Sequence, residues 1–151
     1  MQWYIRKFGV IAFAGYLTLA AGPVLAMGGD GDEGLKAVIA AIEKKDYEGA
    51  IAHLKETLQD DKKNADALNY MGYSYRKLGD FERALKFYKA ALKIDPDHKG
   101  ANEYIGEAYL ELKQPAEAKI HLDRLAKICG PSCEEYRELK EAFYAYQATS
   151  K

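Results

Sequence analysis

Residues 65–98 read ADALNYMGYSYRKLGDFERALKFYKAALKIDPDH, and key residues of this stretch recur 34 positions later. The clearest recurrences are Gly72, Tyr75 and Ala84, which reappear as Gly106, Tyr109 and Ala118. A period of this length is typical of a helix-turn-helix unit that cannot bury its apolar face alone. The sequence therefore predicts stacked units, and such stacks form a curved surface suited to binding another chain.

Both halves of the 65–98 unit have the spacing of an amphipathic helix. In the first half, Leu68, Met71 and Tyr75 fall on one helical face. Gly79 and Asp80 lie between the halves, where a helix stop is followed by a polar cap for the next helix. The pattern indicates two antiparallel helices in each unit.

The small residues Gly72 and Ala84 predict a close approach between these two helices. A larger side chain at either position would hold the backbones apart. Because Gly106 and Ala118 repeat this pair, we expect the same contact in the following unit.

The unit resembles the tetratricopeptide repeat. The positions that carry the resemblance are Leu68, Gly72, Tyr75, Ala84, Tyr88, Ala91 and Pro96. Residues 99–130 follow the same pattern, while residues 31–64 follow it loosely, since Val38 and Ala41 replace the expected Gly and Tyr. The resemblance implies an all-α, right-handed superhelix of about three repeats, at 31–64, 65–98 and 99–130, within a domain at 33–148.

A final amphipathic segment at 133–148 is predicted to be a helix that caps the last repeat. Ser132 and Glu135 have the spacing of a capping box at its start. Cys129 and Cys133 precede it, and an even cysteine count in an exported protein favours a disulfide. Thiol redox chemistry is an alternative, but no βαβ pattern surrounds the pair.

The amino-terminal segment at 1–26 has the plan of a secretory signal peptide. Arg6 and Lys7 precede an apolar run, and small residues precede a cleavage point after Ala26. The alternative is an uncleaved membrane anchor, against which the Gly22-Pro23 break argues. The sequence predicts a bacterial periplasmic protein whose residues 27–32 form a flexible lead-in, with an inner-membrane anchor as the alternative location.

Charge and composition favour a protein or peptide partner. The chain has 22 basic and 23 acidic residues, and cleavage after Ala26 would leave a mildly acidic product. No basic face suggests nucleic acid, and a membrane role is expected only if the leader is retained. The sequence has no recognisable catalytic triad, phosphate-binding loop, metal-ligand spacing or cofactor motif, so we expect neither an enzyme nor a bound metal.

In the tetratricopeptide family the first helices line the concave groove. Carried over by position, the resemblance implies that the partner is bound by Asp66, Asn69, Tyr73, Arg76, Lys77, Glu103, Glu107, Leu110, Glu111, Ile39, Ile42 and Glu43. Because the repeat core does not require the side chains of Tyr73 and Arg76, we expect them on a surface that binds the partner. The mixed charge of this row favours a basic and aromatic segment over a terminal carboxylate.

Self-assembly into a homo-oligomer is the second functional hypothesis. It requires exposed apolar residues on the first repeat, and Ile39 and Ile42 are the candidates.

Overall fold

The computed structural model describes residues 33–149, and within this range the regular secondary structure is all helical. The predicted leader and lead-in lie outside these residues. The helices are α1 (Glu33–Glu43), α2 (Tyr47–Asp60), α3 (Ala65–Lys77), α4 (Phe81–Ile94), α5 (Lys99–Glu111), α6 (Pro115–Ile128) and α7 (Glu134–Thr149). Among these residues, no helix is long and apolar enough to span a bilayer.

Successive helices pack as antiparallel pairs, α1 with α2, α3 with α4 and α5 with α6, and each pair packs on the next. The predicted all-α stack with a carboxy-terminal helix is therefore confirmed. The main core extends across the first five helices, and a second core cluster joins α5, α6 and α7. The stacking places the first helices of the three pairs on neighbouring positions, which sets up the candidate groove.

The turn within each pair repeats every 34 residues. Lys45, Gly79 and Lys113 all have a left-handed backbone, with φ of 60°, 80° and 59°. The following amide donates in each case to a carbonyl five residues earlier, as from Asp80 to Tyr75. This is a helix stop in which glycine is favoured but lysine is tolerated. The loosely matching first unit therefore has the same turn as the other two.

Gly72 is small for a different reason from the one predicted. A Cβ built on it would lie 2.6 Å from the ring of Tyr88, which is a fully buried side chain. The glycine thus makes room for an aromatic ring rather than for a bare backbone. At the equivalent Gly106, the Cβ would meet Leu139 of α7 at 2.6 Å. The carboxy-terminal helix therefore packs against the inner side of the third pair.

The predicted capping box before α7 is wrong. Gly130–Ser132 forms a short 3-10 turn, and α7 begins only at Glu134. The hydroxyl of Ser132 donates to the carbonyl of Cys129. Because this hydroxyl points back toward α6, it does not cap α7.

Candidate partner-binding groove

Tyr73 of α3 is the centre of a row of aromatic rings along the candidate groove. Its ring contacts Tyr47 and Tyr104 edge-on, with centroid distances of 6.3 and 5.2 Å. Tyr73 is half-buried, and burial is the main cause that raises the pKa of its phenol. The side chains come from α2, α3 and α5, so the row joins all three helix pairs.

Arg76 lies one turn further along α3 and is buried, with 6% of its surface exposed. Its Nη1 is 2.6 Å from Oε1 of Glu111, and its Nη2 is 2.6 Å from Oε2 of Glu107. The guanidinium carbon lies 5.7 and 5.6 Å from the ring centroids of Tyr73 and Tyr104. A planar guanidinium group that pairs with two carboxylates at once is an arrangement that arginine provides and lysine does not.

This position corrects the expectation that Arg76 is a surface cation that the core does not require. Burial disfavours its charge, but Tyr88, Glu107 and Glu111 more than offset that effect and raise the pKa of Arg76. Arg76 is therefore a permanent cation, and its Nη1 and Nη2 are already paired with carboxylates. It joins α3 to α5 before any partner arrives.

Glu103 of α5 is buried to 2% exposure, although the sequence suggested a groove-lining surface residue. It lies against α7, where Glu135 and Glu138 are its nearest acidic neighbours. Burial, a hydrogen bond with Glu138 and the charge of Glu107 together raise the pKa of Glu103 to about 10. The carboxyl is thus protonated at neutral pH, and its Oε1 has no hydrogen-bond partner.

A cavity of about 480 Å³ opens between α3, α5 and α7. Charged side chains form one part of its wall and apolar side chains form the other. The lining residues are Arg76, Lys77, Glu107, Leu110, Glu111, Ala142 and Tyr146. Five of them belong to the predicted groove row, so the structure brings together the carboxy-terminal part of that row.

The middle-repeat members of the predicted row differ in how much of their surface is free. Asp66 accepts a hydrogen bond from His98 at 3.0 Å, and its pKa is lowered chiefly by that bond. Asn69 is buried, with 2% of its surface exposed. Lys77 is exposed, and its amine lies 5.1 Å from the ring centroid of Tyr73. The accessible part of α3 is therefore centred on Tyr73 and Lys77.

The first-repeat members correct a further expectation. Ile42 is 4% exposed and belongs to the main core, and Ile39 packs against that core, while Glu43 is exposed. The α1 helix turns its isoleucines toward α2 and α3. These residues therefore do not form the free apolar surface that self-assembly through the first repeat would need.

Sequence reasoning missed four contributors, which are Tyr47, Tyr104, Ala142 and Tyr146. Tyr104 had a usable signal, because Tyr70 precedes it by one period. Ala142 and Tyr146 lie on α7, for which the sequence predicts only a capping role. The repeat pattern does not extend to α7, so it could not indicate that this helix also forms a wall of the groove.

The two cysteines lie on either side of the 3-10 turn, at the far side of the third pair. Their Sγ atoms are 1.96 Å apart, within bonding distance, and their Cα atoms are 5.7 Å apart. A carboxylate oxygen of Glu135 lies within 4.8 Å of both sulfurs. A bonded sulfur pair offers no thiolate to a metal, and oxidation of the pair in the exported protein stays a prediction.

Comparisons with known proteins support the repeat assignment. Residues 65–98 and 101–129 each match a Tetratricopeptide repeat family model. These two segments are therefore similar to tetratricopeptide repeats. The first match has the same limits as the predicted second unit. No curated protein sequence matches the chain.

Solved structures share this fold at low sequence identity. The TPR2B domain of yeast Sti1, in its complex with pHsp70, is 20% identical, with a TM-score of 0.68 over 77% of this chain and 94% of that one. The Yersinia enterocolitica type III secretion chaperone SycD, in complex with a peptide of the translocator YopD, is 15% identical, with a TM-score of 0.64 over 76% and 89%. The first TPR of Spaghetti (RPAP3), bound to the HSP90 peptide SRMEEVD, is 20% identical, with a TM-score of 0.64 over 73% and 87%.

Proposed function

We propose that this protein is an exported interaction scaffold, not an enzyme, which binds an extended segment of a partner protein in the groove lined by α1, α3 and α5. The observation that carries the proposal is the cavity of about 480 Å³ between α3, α5 and α7, beside the aromatic row at Tyr73. Aromatic side chains at a concave surface are among the groups that most often dominate binding energy. Two proteins of similar fold, SycD and RPAP3, hold peptides in their solved complexes.

The test is capture of a partner from an envelope extract by the purified chain. Tyr73→Ala removes the central ring of the aromatic row and should reduce capture by about tenfold, which is about 1.4 kcal/mol. The matched control is Tyr144→Ala, because Tyr144 is 58% exposed on α7 and contributes nothing to the cavity lining. Melting curves of both variants separate lost binding from lost folding.

If Tyr73→Ala folds and captures the partner as well as the parent chain does, the recognition surface lies elsewhere. Loss of capture in Tyr144→Ala alone would place it on α7. Either result contradicts the groove as the binding surface.

Export is part of the proposal, and residues 1–26 support it through their basic start, apolar run and small residues before the cleavage point. The mature protein would begin at Met27 in the periplasm. Amino-terminal sequencing of the exported product checks this. A product that retains Arg6 and Lys7 would be membrane-anchored instead.

Self-assembly is a second candidate function, supported by a different surface from the one expected. Ile120 of α6 is 66% exposed beside a cavity of about 560 Å³ that Ile128 also lines. Ile120 and Ile128 together offer a small apolar contact point at this rim for a second copy. Light scattering over a concentration range, with Ile120→Glu as the comparison, tests whether copies associate through α6.

A further inference from the structure

Five carboxyl groups line the contact between the last groove helix and the carboxy-terminal helix. Their side chains are Glu103, Glu107 and Glu111 on α5, and Glu135 and Glu138 on α7; we call this set the carboxyl seam. Arg76 neutralises two of them, Glu107 and Glu111. Among residues 33–149, no lysine or arginine forms an ion pair with Glu103, Glu135 or Glu138, so the seam has an excess of acid.

Glu103 is the member whose environment is incomplete. Only 2% of its surface is exposed, yet its Oε1 has no hydrogen-bond partner. A buried oxygen without a donor costs free energy, and such groups in folded proteins usually have a partner. Oε1 is itself enclosed, so a partner would act on Glu103 through the acidic groups around it, which favour a cation close by.

The cavity beside the seam offers the two kinds of surface that a long basic side chain needs. Leu110, Ala142 and Tyr146 provide an apolar wall, and Glu107 and Glu111 provide carboxylates next to it. Lysine and arginine bury their aliphatic stems on apolar surface while the charged head contacts polar groups. Arg76 offers no free terminal nitrogen to an acidic side chain, because its Nη1 and Nη2 are already paired. Lys77 is the other cation of this wall, beside Glu107 and Glu111.

We infer that the carboxyl seam receives a lysine or arginine side chain of the partner segment, with its stem on Leu110, Ala142 and Tyr146. The inference rests on the proposed function, since it names the chemistry that the same groove selects. It places the cation between α5 and α7, at the carboxy-terminal end of the groove.

Proton release provides a readout that simple surface attraction would not produce. The groups that face Glu103 are Glu135 and Glu138 from α7, Tyr73 from α3, and Tyr104 and Glu107 from α5 itself. None of these neighbours carries a positive charge. A bound ammonium or guanidinium group would therefore lower the pKa of Glu103 from about 10 and release its proton near pH 8.

The experiment begins with selection from a random dodecapeptide library on the purified full chain. We expect the selected peptides to be enriched in lysine and arginine. The tightest peptide is then measured against variants by fluorescence anisotropy, together with a copy in which each basic residue is replaced by glutamine. Glu111→Gln should weaken the basic peptide by about tenfold, whereas the matched Glu82→Gln on α4 should leave its affinity unchanged.

Calorimetry of the basic peptide in two buffers of different ionisation enthalpy measures the released proton. The release should be absent in Glu103→Gln, whose melting temperature is measured as a check on folding. Selected peptides with no basic preference, equal binding by Glu111→Gln, or no proton release would each overturn the inference while leaving groove binding intact. Failure to select any peptide that depends on Tyr73 would overturn the proposed function itself.

Discussion

Two neighbouring interfaces in this stack differ in how their buried charges are matched. Between α3 and α5, Arg76 is held by Glu107 and Glu111, so the buried charge is matched within the chain. Between α5 and α7, Glu103 meets Glu135 and Glu138, and no cation is paired with them among the described residues. Glu103 occupies the position that Asn69 has one period earlier, and both are buried by the helix that packs next.

The difference shows that burial in a repeat stack does not by itself distinguish structural from functional polar residues. Arg76 is buried and has its charge matched, so removal should harm folding first. Glu103 is buried and lacks a donor, so removal should relieve a cost. Arg76 and Glu103 are both buried, yet removing the first should destabilise the fold and removing the second should stabilise it. The predictions below test that contrast.

The largest effect is expected at the completed interface. Arg76→Ala removes the cation between two carboxylates and two tyrosine rings, and should lower the free energy of unfolding by about 3 kcal/mol. Urea unfolding followed by circular dichroism measures the loss. The matched control is Arg137→Ala, because Arg137 is exposed on α7.

An Arg76→Ala variant as stable as Arg137→Ala would contradict the structural role of this arginine. It would then restore the original expectation that Arg76 is available to a partner. The two roles separate cleanly, since a binding residue at the surface should not change the unfolding midpoint.

The next effect tests the packing that both repeats share. Ala84 and Ala118 are fully buried at equivalent positions of α4 and α6. Leucine at either position should overpack the helix pair and cost about 2 kcal/mol. Thermal melting of Ala84→Leu and Ala118→Leu checks this, and Ala116→Leu at an exposed position of α6 serves as the control.

Unchanged melting of both core variants would mean that the repeat register is wrong. A loss at Ala84 alone would instead show that the third pair, which has Pro115 at its second helix, packs more loosely than the second.

The fold was predictable because the residues that define the repeat make their contacts within one helix pair. Gly79, Tyr88 and Ala84 each have one role in one helix pair, and those roles recur at a fixed period. The groove was only partly predictable. Their positions in the repeat placed Tyr73 and Glu107 in the predicted groove. The burial of Arg76 and Glu103 depends instead on which helix packs over them. The α7 helix lies outside the repeat pattern, so no period could indicate its carboxylates.

An effect of similar size is expected at the link that leads into α7. Replacing Cys129 and Cys133 by alanine should cost about 2 kcal/mol on the chain-entropy account, because the closed loop is short. The contacts of α7 with α5 and α6 depend directly on this link, so hydrogen exchange should increase in α7 and not in α1. Thiol labelling without reductant should find no free thiol in the exported protein.

Equal protection of α7 in the parent and the double alanine variant would mean that packing alone holds this helix. Ready labelling of both thiols in a folded chain would show that the pair is reduced under those conditions.

The smallest effect is a gain in stability, and it is expected at the incomplete interface. Burial and its acidic neighbours raise the pKa of Glu103 from 4.5 to about 10, so the folded state keeps a proton that the unfolded state loses above pH 5. The stability that this proton contributes is fully present below pH 4.5 and is lost as the pH rises toward 10. Glu103→Gln keeps the shape without the titration, and should stabilise the chain by about 1 kcal/mol at pH 8.5 but not at pH 4.5. Urea unfolding at both pH values measures the difference. A variant that is equally destabilised at both pH values would show that the chain satisfies Glu103 by itself. In that case the missing donor, and with it the place for a partner's cation, would not exist.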